Sequence, residues 1–306
     1  MTTVGYIGLG NMGGALARRL LLKRAIHVTD LDDAAVQRHV KLGGVAAANP
    51  AALAAKCDII LMCLPTSTEV RQVIFGPGGA LEKARPGLLL VDQTTGDPVA
   101  TRKMAAELKG KDIDLIDAPV SGGQPGAEAG TIAIMVGGSD DQFRQIEPVL
   151  RDISSVIFHA GPIGNGQVAK IVNNAISAGL RALTFECLGL GVKAGLDPKI
   201  AVDIIAKGSG SNTVVVKHFP NHLFTTDNFE IHFSLGLSHK DVSLATQLAS
   251  DLQYPLAVTP MVREQLMRAI NRSGRNADIM RQLHMYEELA GKPIGAGIEP
   301  PRGVKP

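Results

Sequence analysis

The stretch V-G-Y-I-G-L-G-N-M-G, residues 4–13, decides the fold. An apolar strand pattern runs directly into Gly8, Gly10 and Gly13, and a helical pattern opens behind them. Glycines at this spacing, between a strand and a helix, permit a tight turn, close backbone approach to a pyrophosphate and close helix–strand packing. The helix start offers unpaired N–H groups to an anion. Gly8, Leu9, Gly10, Asn11, Met12 and Gly13 are therefore candidate dinucleotide ligands.

Working outward, Asp30 stands 20 residues beyond Gly10, at the end of the next strand pattern. A carboxylate there accepts hydrogen bonds from ribose hydroxyls and repels a 2′-phosphate. Leu31, Asp32 and Asp33 follow, with no arginine among them, so the local charge favours NAD, with NADP as the alternative. Asp32 is the rival ribose ligand, and capping of a turn is the plain structural role for Asp30. Further strand patterns cover 59–63, 88–91, 115–118 and 132–136, after those at 4–7 and 26–29. Helical patterns cover 12–22, 33–42, 50–55, 69–75 and 98–109. Strands alternating with helices mean crossover connections and a mostly parallel sheet covered on both faces.

Ligands in such sheets lie beyond the carboxyl ends of the strands. Leu64 and Pro65, after the third strand, and Thr95, after the fourth, are thus candidate cofactor contacts, Thr95 for the nicotinamide or its ribose, with capping of the next helix as the plain role for the loop hydroxyls. After the fifth come Ser121, Gly122 and Gly123, a hydroxyl and approachable backbone N–H groups suited to a carboxylate. The pattern changes near residue 160. A proline-free helical stretch over 167–194 follows the Gly161, Gly164, Gly166 turn, and further helices read over 198–207, 238–252 and 260–270. Lys170 and Asn174 lie one turn apart on that long helix and share a face. The expected architecture is α/β, a Rossmann-type doubly wound parallel sheet followed by an all-α domain built on a long interdomain helix. The expected divisions are 1–162 for the dinucleotide, 163–292 for substrate and oligomerisation, and 293–306 as an extended tail.

The bulk numbers set limits. The chain has 306 residues, 45% hydrophobic and 20% charged, with net charge +2, and this argues for a soluble globular protein of about two domains. That charge gives no case for nucleic acid or a membrane surface. Cys57, Cys63 and Cys187 are odd in number and lack ligand spacing, so they read as reduced thiols buried as small apolar residues. No basic leader precedes the first strand, and a cytoplasmic location is expected. The eight histidines show no metal-ligand spacing; His218 and His222 are i,i+4 but lack the H-E-x-x-H glutamate, so no metal is expected.

Four segments together resemble the β-hydroxyacid dehydrogenase family, which includes 3-hydroxyisobutyrate dehydrogenases and tartronate semialdehyde reductases. They are GLGNMG (8–13), DAPVSGGQPGAEAGTIAIMVGG (117–138), GPIGNGQVAKIVNN (161–174) and HKDVSLA (239–245), in family order. The resemblance implies a Rossmann domain followed by a helical one, assembled as a homodimer or homotetramer. It implies Lys170 as the catalytic lysine, Ser121, Gly122, Gly123 and Asn174 as substrate ligands, and Lys240 as a cofactor contact, with Asp241 structural. For Lys240, an ion pair with a nearby carboxylate is the plain alternative. Threonine at 94 replaces the commoner serine and keeps the hydroxyl, and the chain is short for a phosphogluconate dehydrogenase.

The reaction these residues suit is reversible hydride transfer between NAD and a small 3-hydroxy acid carboxylate or its semialdehyde. Lys170 moves the hydroxyl proton, which calls for a partly desolvated lysine. A tartronate, succinic semialdehyde or glyoxylate reductase of the same family is the alternative. A non-catalytic dinucleotide-binding regulator is the alternative of another class. Imine reductases share the scaffold but replace the lysine, and a methyltransferase does not fit the second-domain motifs. Substrate choice is expected from Phe233 and the 208–216 loop. The latter carries no arginine for a second anionic group.

Overall fold

Buried on both faces, the first strands show why their sequence is almost wholly apolar. The computed structural model describes residues 2–225 and 231–295. In chain order the first elements are β1 (Val4–Ile7), α1 (Asn11–Leu21), β2 (Ile26–Thr29), α2 (Asp33–Val40), β3 (Val45–Ala46), α3 (Pro50–Ala54), β4 (Ile59–Met62) and α4 (Ser67–Phe75). Then come β5 (Leu88–Asp92), α5 (Pro98–Lys109), β6 (Ile113–Asp117), β7 (Val120–Ser121), α6 (Gly123–Ala129), β8 (Ala133–Val136), α7 (Asp140–Ile153) and β9 (Ile157–His159).

Six strands form one parallel sheet in the order β3-β2-β1-β4-β5-β6. Residues alternate across it. Val4, Tyr6, Ile59, Leu61, Leu89 and Val91 face one apolar cluster, with α1 and α7. Ile7, Ile60, Met62, Leu88 and Leu90 face the other, with α3, α4 and α5. This is the doubly wound sheet expected, and its strand order reverses between β1 and β4. The strand over 132–136 belongs elsewhere: β8 pairs antiparallel with β7 and parallel with β9 in a separate three-stranded sheet.

Helix α7 escaped the reading of the sequence because Pro148 interrupts its pattern. Its start was marked all the same, by a capping box in which Ser139 and Gln142 exchange side-chain and backbone hydrogen bonds. Strand β3, two exposed residues long, carries no apolar signal.

The second half is helical: α8 (Asn165–Lys193), α9 (Pro198–Lys207), α10 (Leu235–Asp251), α11 (Val258–Ser273) and α12 (Leu283–Ala290), with a π-helical segment at Val214–Leu223. By length and mean hydropathy α8 could cross a bilayer. It buries Ala178, Ala182, Phe185, Leu188 and Val192 in the protein's own second apolar cluster. Two compact units divide at Ile171/Val172, nine residues beyond the 162/163 expected, because the first turns of α8 bond to the strand ends of the first unit. Of the tail expected over 293–306, residues 296–306 lie outside the described residues, while Ile294 is buried in the helical cluster. Cys57 is buried, but Cys187 is exposed, against expectation, because it sits on an outward face of α8.

Candidate active site

The glycine loop lies where the strand order reverses, the place where parallel sheets bind ligands. Gly8 has φ +88°, and a side chain there would run into the carbonyl of Cys63. A side chain at Gly13 would run into the carbonyl of Gly8. Both glycines are therefore required by the protein's own packing. Gly10 is different: it has ordinary backbone angles, and no atom lies within 4 Å of where its Cβ would be. The open space beside Gly10, at the start of α1 with no side-chain cap, fits the close approach of a dinucleotide pyrophosphate. Around it is a cavity of 330 Å³ whose lining includes Leu9, Asn11, Asp30, Arg18 and Arg38.

Asp30 braces this loop. Its Oδ2 accepts the Leu9 N–H at 2.5 Å and its Oδ1 accepts the Asp32 N–H at 2.8 Å. Asp32, the rival ribose ligand, caps α2 through the Ala34 N–H. Two arginines outside the motifs, Arg18 on α1 and Arg38 on α2, also line the cavity. Both already face carboxylates, Arg18 with Glu128 at 2.9 Å and Arg38 with Asp32 at 3.4 Å.

At the neighbouring strand ends, the Leu64 N–H donates to Thr94 Oγ1 at 3.0 Å, and the Thr94 N–H donates to Asp92 Oδ1 at 2.9 Å. Pro65 is exposed and Thr95 half-buried. Tyr6 donates its hydroxyl to Gln93 Oε1 at 2.7 Å beneath them. Ser121 ends β7, and Gly122 and Gly123, with φ of +143° and +69°, lead into α6 in a conformation that favours glycine.

The first turn of α8 is gripped from the ends of two strands, β5 and β6. Asp117, fully buried at the end of β6, accepts the Gly164 N–H and the Gln167 N–H, each at 2.6 Å. It thus caps a helix distant in sequence. Burial pushes its carboxyl up to about 6, against the opposing pull of those hydrogen bonds and of Arg102. A side chain at Gly166 would collide with Met135 and Asp117, so this glycine seats the helix rather than a ligand. Gln167 bonds to Thr94 and Gly96, and one turn on stands Lys170, only 8% exposed.

Within the second unit, Asn174 Nδ2 donates to Asp241 Oδ2 at 2.6 Å. Lys240 Nζ lies 3.1 Å from Asp241 Oδ1. Asp241 is buried and joins the two residues that the motifs single out; it is a participant that its adjacency to Lys240 already hinted at. Phe233 packs against the helical cluster; of the loop expected over 208–216, residues 214–216 belong to the π-helical segment, and Asn212 before it donates to Thr184 Oγ1 and Gly210 O. His218 and His222 lie edge to face at 6.2 Å, and no group of three or more metal-ligating side chains occurs among the described residues.

The chain matches two family descriptions in succession. Residues 3–161 match the NAD binding domain of 6-phosphogluconate dehydrogenase, and residues 164–286 match the NAD-binding family of NADP-dependent 3-hydroxyisobutyrate dehydrogenase. It is 37% identical over 295 residues to the 2-(hydroxymethyl)glutarate dehydrogenase of Eubacterium barkeri, covering 96% of this chain and 98% of that one. It is 36% identical over 267 residues to a 3-hydroxyisobutyrate dehydrogenase of Pseudomonas aeruginosa, covering 85% and 89%. Among solved structures it is similar to the Mycobacterium tuberculosis 3-hydroxyisobutyrate dehydrogenase with L-serine. That likeness has TM-score 0.84 at 28% identity and covers 93% of this chain and 99% of that one.

Proposed function

Because the chain belongs to the β-hydroxyacid dehydrogenase family, we propose that it is an NAD-dependent dehydrogenase of a small 3-hydroxy acid, working reversibly on the matching semialdehyde. The observation that carries this is Lys170, a lysine withdrawn from water one helical turn before Asn174, on a helix held by the strand ends of a dinucleotide fold.

The backbone of Gly8, Leu9, Gly10, Asn11, Met12 and Gly13 holds the pyrophosphate, and Asp30 takes the adenosine ribose. Leu64, Pro65 and Thr95 are assigned to the nicotinamide side, and Lys240 is assigned as a further cofactor contact. Preference for NAD is supported by Asp30 and by the engagement of Arg18 and Arg38 with carboxylates. The cofactor, when bound, supplies the site that accepts or returns an electron pair with its hydrogen. Ser121 and the amides of Gly122 and Gly123 anchor the substrate carboxylate. Asn174, its amide held by Asp241, orients the carbinol. Lys170 Nζ takes the hydroxyl proton during oxidation and delivers one to the carbonyl oxygen during reduction, an assistance worth on the order of 100- to 10,000-fold. Keeping Lys170 from bulk water lets it exchange that proton with substrate rather than solvent.

Residues 1–162 serve the dinucleotide in this reading, and 163–292 serve substrate and assembly. A homodimer or homotetramer is supported by a stripe of exposed apolar residues along α8: Val172, Ile176, Leu180, Leu183 and Leu190. Val172 stands roughly 200° round the helix from Lys170, so assembly and chemistry use opposite faces. Three free cysteines support a cytoplasmic setting.

The test is a set of initial rates with NAD⁺ or NADP⁺ across 3-hydroxyisobutyrate, glycerate, 4-hydroxybutyrate, serine and 2-(hydroxymethyl)glutarate, with semialdehydes in reverse. The dicarboxylate is included because a relative covering nearly the whole chain is named for it. Turnover of a 3-hydroxy acid with NAD⁺ preferred is expected. Tight NADH binding without turnover on any member would overturn the reading in favour of a dinucleotide-binding regulator.

A further inference from the structure

Gln167 takes no part in the chemistry described above, yet it is completely buried and uses both ends of its amide. Its Oε1 accepts the Gly96 N–H at 2.9 Å, and its Nε2 donates to the Thr94 carbonyl at 2.7 Å. The two partners flank Thr95. Since a backbone N–H needs an acceptor and a carbonyl needs a donor, only one orientation of the amide satisfies both. The segment it grips is itself fixed. Thr94 Oγ1 receives the Leu64 N–H, the Asp97 N–H donates to Ser67 Oγ at 2.8 Å, and a side chain at Gly96 would strike that same hydroxyl. On the other side, the Gln167 backbone is tied to Asp117. Three residues on, about 4.5 Å along the helix, stands Lys170.

We infer that Gln167 is a positioning residue: its amide clamps the Thr94–Gly96 backbone to the first turn of α8 and so sets the distance between the nicotinamide loop and Lys170. The inference rests on the proposed role of Lys170. It differs from a packing role because position 167 has a chemical requirement. The side chain must be neutral, of glutamine length, and present one acceptor and one donor to two backbone groups. Glutamine meets this at every pH. Glutamic acid meets it only while protonated, and its carboxylate would face the Thr94 carbonyl with no proton to give. Hydride transfer depends steeply on alignment, and a misplacement of about 1 Å can cost about 100-fold.

The experiment compares Gln167→Glu and Gln167→Met with the wild type at each pH from 5 to 9. Gln167→Met keeps the volume and loses both bonds, so its kcat is expected to fall 10- to 100-fold, as an order of magnitude, with KM for NAD⁺ within about twofold. Gln167→Glu, expressed as a ratio to wild type, is expected to approach unity at acid pH and to fall toward the Gln167→Met value as its carboxyl ionises. A ratio flat with pH, or a wild-type kcat for Gln167→Met, would overturn the inference. Should Gln167→Met fail to fold, the pH-dependence of Gln167→Glu still decides. A second readout does not need turnover: NMR titration of ¹³C-methylated lysines, with Lys170→Arg to assign the signal. A Lys170 signal shifted in Gln167→Met supports the clamp, and an unchanged one rejects it. A wild type inert on every hydroxy acid with that shift present would fault the functional reading alone.

Discussion

Asn174 Nδ2 donates a 2.6 Å hydrogen bond to Asp241 Oδ2, while the other oxygen of that carboxylate faces Lys240 Nζ at 3.1 Å. One buried carboxylate therefore holds two residues that the proposed chemistry needs. Removing it leaves the Asn174 amide nitrogen without that acceptor, while its oxygen still receives Asn173 Nδ2 at 3.1 Å. Asp241→Ala is expected to raise the substrate KM by about tenfold or more, the scale of a lost charge-assisted hydrogen bond. Steady-state kinetics with substrate and NAD⁺ varied separately check this, and an unchanged substrate KM would show that Asn174 is oriented by something else.

Lys170→Ala should separate binding from chemistry. Turnover is expected to drop on the order of 100- to 10,000-fold while NADH affinity stays within about twofold. Fluorescence titration and stopped-flow turnover on one preparation give both numbers. Near-wild-type turnover would remove Lys170 from the mechanism.

The three loop glycines should respond differently. Nothing in the protein opposes a side chain at Gly10, so Gly10→Val is expected to leave the melting temperature within about 2 °C, the range of neutral surface changes. NADH binding by the same variant should weaken about tenfold or more. Gly13→Ala, whose methyl would press on the Gly8 carbonyl, is expected to destabilise the fold by about 1–3 kcal/mol. Equal thermal losses in the two variants would contradict the open cradle at Gly10.

Acidification should act oppositely on the two units. His218 is held down to about 4 by burial and by the nearby Arg181, His222 and Lys217, against 6.5 in an unfolded chain. Between these values the unfolded chain binds more protons, so His218 costs stability as pH falls from 6.5 toward 4. Asp117, at about 6 folded against 3.8 unfolded, has the reverse sign: the folded state holds its proton more tightly, and stability is gained as pH falls through 6 toward 4. His218→Phe should therefore flatten the acid loss and Asp117→Asn should steepen it, read from denaturant midpoints between pH 4 and 7. Identical slopes in all three proteins would rule out both assignments.

The parallel sheet was legible because its strands are buried on both faces and read as unbroken apolar runs; β1 and β2 match residue for residue. Short elements were not. Strands β7 and β9 have two and three residues, too few for any period to show. Helix α10 starts at Leu235 rather than 238, because Ser234 caps it through the Leu237 N–H. Pro220 hides the π-helical segment as Pro148 hides α7. For the site, motif residues such as Gly8 and Gly13 could be read from spacing, since their requirement is local. Asp117 and Gln167 could not, because each acts on backbone groups tens of residues away, and the identity of those partners leaves no trace in the sequence.

The bond from the Leu9 N–H to Asp30 has a consequence for redesign and for natural drift alike. Under the proposed role of Asp30, exchanging it for a neutral residue is the route to a protein that accepts a phosphorylated coenzyme. A replacement without a side-chain acceptor also removes the brace of the glycine loop, since Asp30 Oδ2 accepts the Leu9 N–H. Under that role, coenzyme choice and the integrity of the loop are tied through one side chain. A lineage can separate them by keeping an acceptor for Leu9, as a neutral amide at position 30 would, before any larger change there.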